Sequence, residues 1–172
     1  MIIGSAELVV AGSIRRILTA TRGEMIFNPG IWRFIFRRKS LSGTRFPELR
    51  SGEDQVFLAR YGFLERKMSF SEEIFYRYFM GAEGQLTRNP ENISDSILAG
   101  SLVMEASFLS PNWKTGYSKM SARLLMTFLR RGPGSLILRV RNVMKAIRTF
   151  RDPRYLFYFA STLITSRSKS LL

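Results

Sequence analysis

The chain contains no cysteine and no histidine. The first absence excludes disulfide frameworks, thiolate nucleophiles and Cys-ligated zinc. The second removes the Ser-His-Asp triad and the commonest metal ligand. Any acid–base chemistry therefore falls to carboxylates, lysines or tyrosines. Aspartate is scarce too: Asp54, Asp95 and Asp152 are the only three, and none are spaced as D-x-D. A Gly-rich phosphate loop is missing, since Gly132-Pro133-Gly134 has neither P-loop spacing nor its lysine. Long apolar runs are absent as well. The longest uncharged stretch near the end, Tyr155 to Ser166, has 12 residues, whereas a bilayer-spanning helix needs roughly 20. The opening Met1 to Glu7 has no basic n-region and does not read as a secretory signal.

What is present is enough to build a core. The 172 residues are 45% hydrophobic and 13% aromatic, too rich in core formers for a disordered chain. The net charge of +14 is unevenly spread. Residues 1–113 hold 14 basic and 12 acidic side chains, and residues 114–172 hold 13 basic ones against Asp152 alone.

Local patterning suggests an α/β order. Glu7 to Gly12 reads as a buried strand, Ile14 to Thr21 as a second, and Arg22-Gly23 as a turn. Residues 31–39 alternate imperfectly between large apolar and basic residues, which predicts a strand with one buried face. Residues 42–52 read as a loop. A helix is expected from Glu53, with Glu53 and Asp54 in its first turn where they suit the helix dipole. Residues 72–79 are aromatic and β-prone, with Gly81 and Gly84 as breakers. Asn89-Pro90 is expected to cap a helix reaching about Leu109, ended by Ser110-Pro111-Asn112. Beyond residue 117 come three apolar–basic helical segments, separated at Gly132-Pro133-Gly134 and Asp152-Pro153. In the middle one Leu136, Ile137, Val140, Val143, Met144 and Ile147 are expected on one face. Asn92-Ile93-Ser94 matches a glycosylation sequon, to which no weight attaches without a secretion signal.

Residues 29–61 hold the most informative pattern. Trp32-Arg33-Phe34-Ile35-Phe36-Arg37-Arg38-Lys39 leads through Phe46-Pro47-Glu48 to Gly52-Glu53-Asp54-Gln55-Val56-Phe57. This order, continued by the aromatic run Phe75 to Phe79 and Gly84-Gln85-Leu86-Thr87, resembles the acceptor-side half of family-2 inverting glycosyltransferases of GT-A type, over about residues 5–109. The resemblance implies that Asp54 is the base that deprotonates the acceptor hydroxyl, with Glu53 positioning the acceptor and Trp32 stacking on a sugar ring. The bland alternatives are a helix-capping acid pair for Glu53 and Asp54, and core packing for Trp32. Arg37, Arg38 and Lys39 face either diphosphate or acceptor groups or, as a basic strand edge more often does, solvent.

The resemblance also marks what is missing. The family's nucleotide-binding half, its D-x-D motif and the processive Q-x-x-R-W signature are absent from this sequence. The expectation is a C-terminal part of a split or truncated enzyme, inactive alone, whose Mg²⁺ or Mn²⁺ and nucleotide-sugar donor are bound outside this chain; no metal ligands are assigned within it. Residues 1–113 then form the acceptor-side half of a GT-A-like α/β domain, and residues 114–172 a basic amphipathic helical tail. Such a tail suits an anionic membrane surface, placing the protein in the cytoplasm at the inner face, near a saccharide or lipid-linked acceptor. The competing reading is a non-enzymatic basic module that binds anionic membrane or nucleic acid.

Overall fold

The apolar run near the start of the chain becomes the central strand of a mixed sheet. A computed structural model describes residues 1–41, 43–81, 89–150 and 155–161. Strand β1 (Ile2–Val10) turns at Ala11-Gly12 into β2 (Ser13–Leu18), with Val10 paired to Ser13. Both turn residues have positive φ, 48° and 81°, the backbone twist that a two-residue hairpin requires. Ala11 and Gly12 are therefore the turn and not the end of a strand. β1 pairs in parallel with β4 (Ser69–Met80) along its whole length and antiparallel with β3 (Phe34–Ile35) at Ile2 and Ile3. Since β4 occupies one edge of β1, β2 and β3 share the other.

Two local expectations are corrected. Arg22-Gly23 does not form a turn; it opens helix α1 (Arg22–Phe27). The Thr21 hydroxyl accepts the Glu24 N–H at 3.2 Å, and the Arg22 guanidinium donates to the Leu64 carbonyl at 2.8 Å. These two anchors decide the local outcome over the glycine. Residues 31–39 do not form one strand either. Ile31–Arg33 is a 3₁₀ turn, only Phe34–Ile35 pair as a strand, and Arg38–Leu41 is a second 3₁₀ turn. The reason lies in Arg33, which is fully buried. It donates to the carbonyls of Gly4 (3.2 Å), Leu18 (3.2 Å) and Thr19 (2.6 Å). A guanidinium can be buried when its donors are satisfied, and here it ties β1 to the end of β2.

The helices follow their signals. α2 (Glu53–Tyr61) begins at Glu53 as expected and stops at Gly62, whose φ of 68° supplies the left-handed C-cap. The Asn89 side chain caps α3 (Pro90–Ile93) through the Glu91 N–H at 2.9 Å. The single helix expected from Asn89-Pro90 to about Leu109 is corrected to two, since the chain breaks at Ser94-Asp95 before α4 (Ser96–Leu109). Asn92 of the sequon is buried. The Gly84-Gln85-Leu86-Thr87 segment and Asp152-Pro153 lie outside the described residues.

α5 (Lys114–Arg131) crosses α4 closely, since a side chain at Gly100 would lie 3.0 Å from Leu125. The Ser121 hydroxyl, between them, bonds the Gly100 carbonyl at 2.6 Å and the Tyr155 hydroxyl at 3.0 Å. Tyr117, Met120 and Leu124 pack into the same core as Ile3, Val56 and Phe63. The change in composition near residue 114 is thus not a break in packing. Leu125 and Phe128 meet Val143, Ala146 and Ile147 of α6 (Leu136–Thr149) in a second cluster, closed by Phe150 and Tyr155. Only part of the expected apolar face of α6 is used in this way. Leu136, Ile137, Val140 and Met144 are exposed, because Val143, Ala146 and Ile147 form the stripe that faces α5. Residues 155–161 are helical. The whole is an α/β structure with a four-stranded mixed sheet and a helical C-terminal part, and among the described residues no helix is long and apolar enough to cross a membrane.

Candidate active site

The start of α2 is held in place by two close approaches. Gly52, the N-cap, has φ 85°, and a Cβ there would fall 2.5 Å from Ala99 Cβ. Only glycine lets α2 enter this tightly against α4. The first turn also faces the segment before β3, where the Ile31 backbone N–H lies close enough to lower the Asp54 carboxyl. That segment carries Gly30, where a Cβ would meet the Trp32 indole at 2.4 Å. Trp32 folds back over Gly30 and stacks on Tyr78 of β4, with centroids 5.3 Å apart and planes 10° apart. Tyr76 lies 5.1 Å away on a tilted plane.

These elements enclose a cavity of about 570 Å³. Its wall includes Trp32, Glu53 and Asp54, the three residues singled out from sequence, together with Phe46 from the Phe-Pro-Glu segment. Apolar side chains of β1, β2, β4 and α1 line one side, and Met120, Arg123, Leu124 and Thr127 of α5 another. Arg37, Arg38 and Lys39 are exposed and take no part in the wall.

Asp54 is chemically unusual among these groups. Its carboxyl is pushed up from the usual 3.8 to about 7, first by loss of solvent and then by repulsion from Glu53. The backbone N–H groups of Gln55 (2.8 Å), Ile31 and Asp54 itself pull the other way without cancelling that cost. A carboxyl so placed exchanges its proton near neutral pH, which suits a general base. Gln55, beside it in the wall, keeps its Oε1 buried with no hydrogen-bond donor among the described residues. A ligand hydroxyl would supply one.

Trp32 is part of an aromatic stack with Tyr76 and Tyr78, and it is half-buried with surface on the cavity. Sequence reasoning missed Arg123, Gln55 and Tyr78. Arg123 sits in the segment read as a surface tail, and Gln55 carries no chemistry of its own. Among the described residues, no group of three or more carboxylates gathers to hold a metal ion. No family model, curated protein or solved structure matches this chain.

Proposed function

We propose that this chain is the acceptor-side part of an inverting glycosyltransferase of GT-A type. The reading is carried by Asp54, a carboxyl poised near neutrality on the wall of a cavity that also presents an indole and an unpaired amide oxygen. The acceptor sugar lies against Trp32, with Glu53 and Gln55 receiving its hydroxyls. Asp54 takes the proton from the attacking hydroxyl as its oxygen bonds to the anomeric carbon. The nucleoside diphosphate departs from the opposite face, which inverts the configuration. The nucleotide-sugar and its Mg²⁺ or Mn²⁺ belong to residues outside this chain, and the pure chain therefore turns over no nucleotide-sugar.

The acceptor half is testable by binding. In a Trp113→Phe background Trp32 is the single tryptophan, and its emission reports on the cavity. Short oligosaccharides should change that emission saturably, and Trp32→Phe in the wild-type background should weaken their binding by calorimetry. A folded protein that responds to no saccharide at about 10 mM, the weak end of specific binding, overturns the reading.

A second observation supports a location. α6 exposes Leu136, Ile137, Val140 and Met144 beside Arg141, Lys145 and Arg148. That surface fits peripheral attachment to an anionic membrane at the cytoplasmic face, close to a lipid-linked acceptor. Nucleic-acid binding is the competing use of the same charge.

A further inference from the structure

Arg123 is the cationic side chain of α5 in the cavity wall. Its side chain is half-buried, and this partial loss of solvent lowers its pKa, opposed chiefly by Glu24. Glu24 is already engaged elsewhere. It accepts two bonds from Arg16, both 3.1 Å, and one from the Asn28 amide. Arg16 also repels Arg123. Among the described residues, no side-chain hydrogen bond or ion pair reaches the Arg123 guanidinium. A half-buried cation with a shared counter-charge and surface on a cavity gains from an anionic ligand that completes its pairing. Arg50, also in the wall, adds positive charge near Glu53 and Asp54. The site thus combines an aromatic platform, a proton acceptor and an incompletely neutralised guanidinium.

We infer that the ligand of this cavity is an acidic saccharide, one carrying a carboxylate or phosphate, and that Arg123 binds that oxyanion. This rests on the saccharide reading given above and narrows its substrate class. The planar fork of arginine pairs both oxygens of such a group in parallel.

The test is a titration of the folded chain with glucose, glucuronate, glucose 1-phosphate and inorganic phosphate, followed by the Arg123 Nε–H resonance and by calorimetry. Glucuronate or glucose 1-phosphate should bind at least about tenfold tighter than glucose, as a charge-assisted hydrogen bond requires, and should shift the Arg123 signal. Arg123→Gln should reduce that preference to within about twofold. Arg123→Lys, which keeps the charge without the fork, should restore part of it. Equal binding of neutral and acidic sugars to the wild type overturns the inference and leaves the saccharide reading standing. A shift of Arg123 by inorganic phosphate with no sugar bound keeps the oxyanion site and removes the saccharide. No binding by any of the four probes removes both.

Discussion

On the proposed reading, Asp54 carries the proton transfer, and its burial makes that role measurable. Its folded carboxyl keeps its proton to about pH 7, whereas the unfolded one loses it near 3.8. Between those values the folded state binds more protons, so stability falls as pH rises across that window and the full cost is present above it. Asp54→Asn should therefore leave the melting temperature nearly unchanged at pH 4. At pH 8 it should raise stability by on the order of 3 kcal/mol, as denaturant titrations at the two pH values will measure. In a preparation that also carries the donor-binding half, the same substitution should lower transfer by about 10²–10⁴-fold. Glu53→Gln should cost less and move the acidic limb of the pH–rate profile below 7, because Glu53 is one of the causes that raise Asp54. Unaltered rates in Asp54→Asn would place the base elsewhere. The acid pair was visible in the sequence because helix-first-turn carboxylates are a local signal. Arg33 and Arg123 were not. Arg33 is satisfied by carbonyls as far as 29 residues away, and Arg123 borders a cavity whose other walls come from the first 80 residues.

At the level of elements, the legible pieces were those whose cause is local. α2 announced itself through Gly52-Glu53-Asp54, β4 through its aromatic β-formers, and the end of α4 through Ser110-Pro111. The stretch from Ile31 to Lys39 was misread because its alternation is interrupted by one residue pulled inward. Once Arg33 is fixed by β1 and β2, Trp32 is set by the 3₁₀ turn rather than by a pleat, and pairing resumes only at Phe34. Aromatic contacts then complete the segment: Phe34 stacks on Phe36, and Phe36 meets Phe57 and Tyr61 edge-on. The tightness of the α2 entry gives an element-scale prediction. Gly52→Ala places a methyl group against Ala99 at a φ that L-residues rarely adopt. It should destabilise the fold by about 2–3 kcal/mol. It should also weaken saccharide binding at the neighbouring acid pair. A reference change at Gly23, where a Cβ meets nothing within 4 Å, should be close to neutral on binding. Equal binding losses for the two substitutions, measured on the folded fraction, would show that the Gly52 geometry does not control the site.

The charge asymmetry acquires a meaning only for the molecule as a whole. Read along the sequence, the last 59 residues look like one basic amphipathic tail. Folding divides that tail between two roles. α5 spends its apolar side chains on the core, with Leu124, Leu125 and Phe128 all buried, so none of these can insert into a bilayer. α6 spends only one stripe on packing. Its neighbouring stripe, Leu136, Val140 and Met144 at four-residue spacing with Ile137 beside them, stays at the surface. Ile137 is 83% exposed, which an ordinary solvated helix has no reason to select. With Arg141, Lys145 and Arg148 alongside, the surface should bind vesicles containing anionic lipid. That binding should weaken as salt shortens the Debye length from about 10 Å at 0.1 M to about 3 Å at 1 M. Neutral vesicles should bind poorly, because each basic residue contributes roughly 1 kcal/mol only where the surface is negative. Two variants, one single and one double, separate the contributions without touching the core. Ile137→Glu should abolish most flotation with the fold intact, and the pair Arg141→Glu and Arg148→Glu should do the same at low salt. Substitution of Leu125, by contrast, should unfold the second core cluster before any effect on lipid can be read. Equal flotation with neutral and anionic vesicles, or full flotation of the Ile137→Glu protein, would reject α6 as the membrane surface. Tighter binding of the wild type to single-stranded RNA than to anionic vesicles would assign the same basic face to nucleic acid instead.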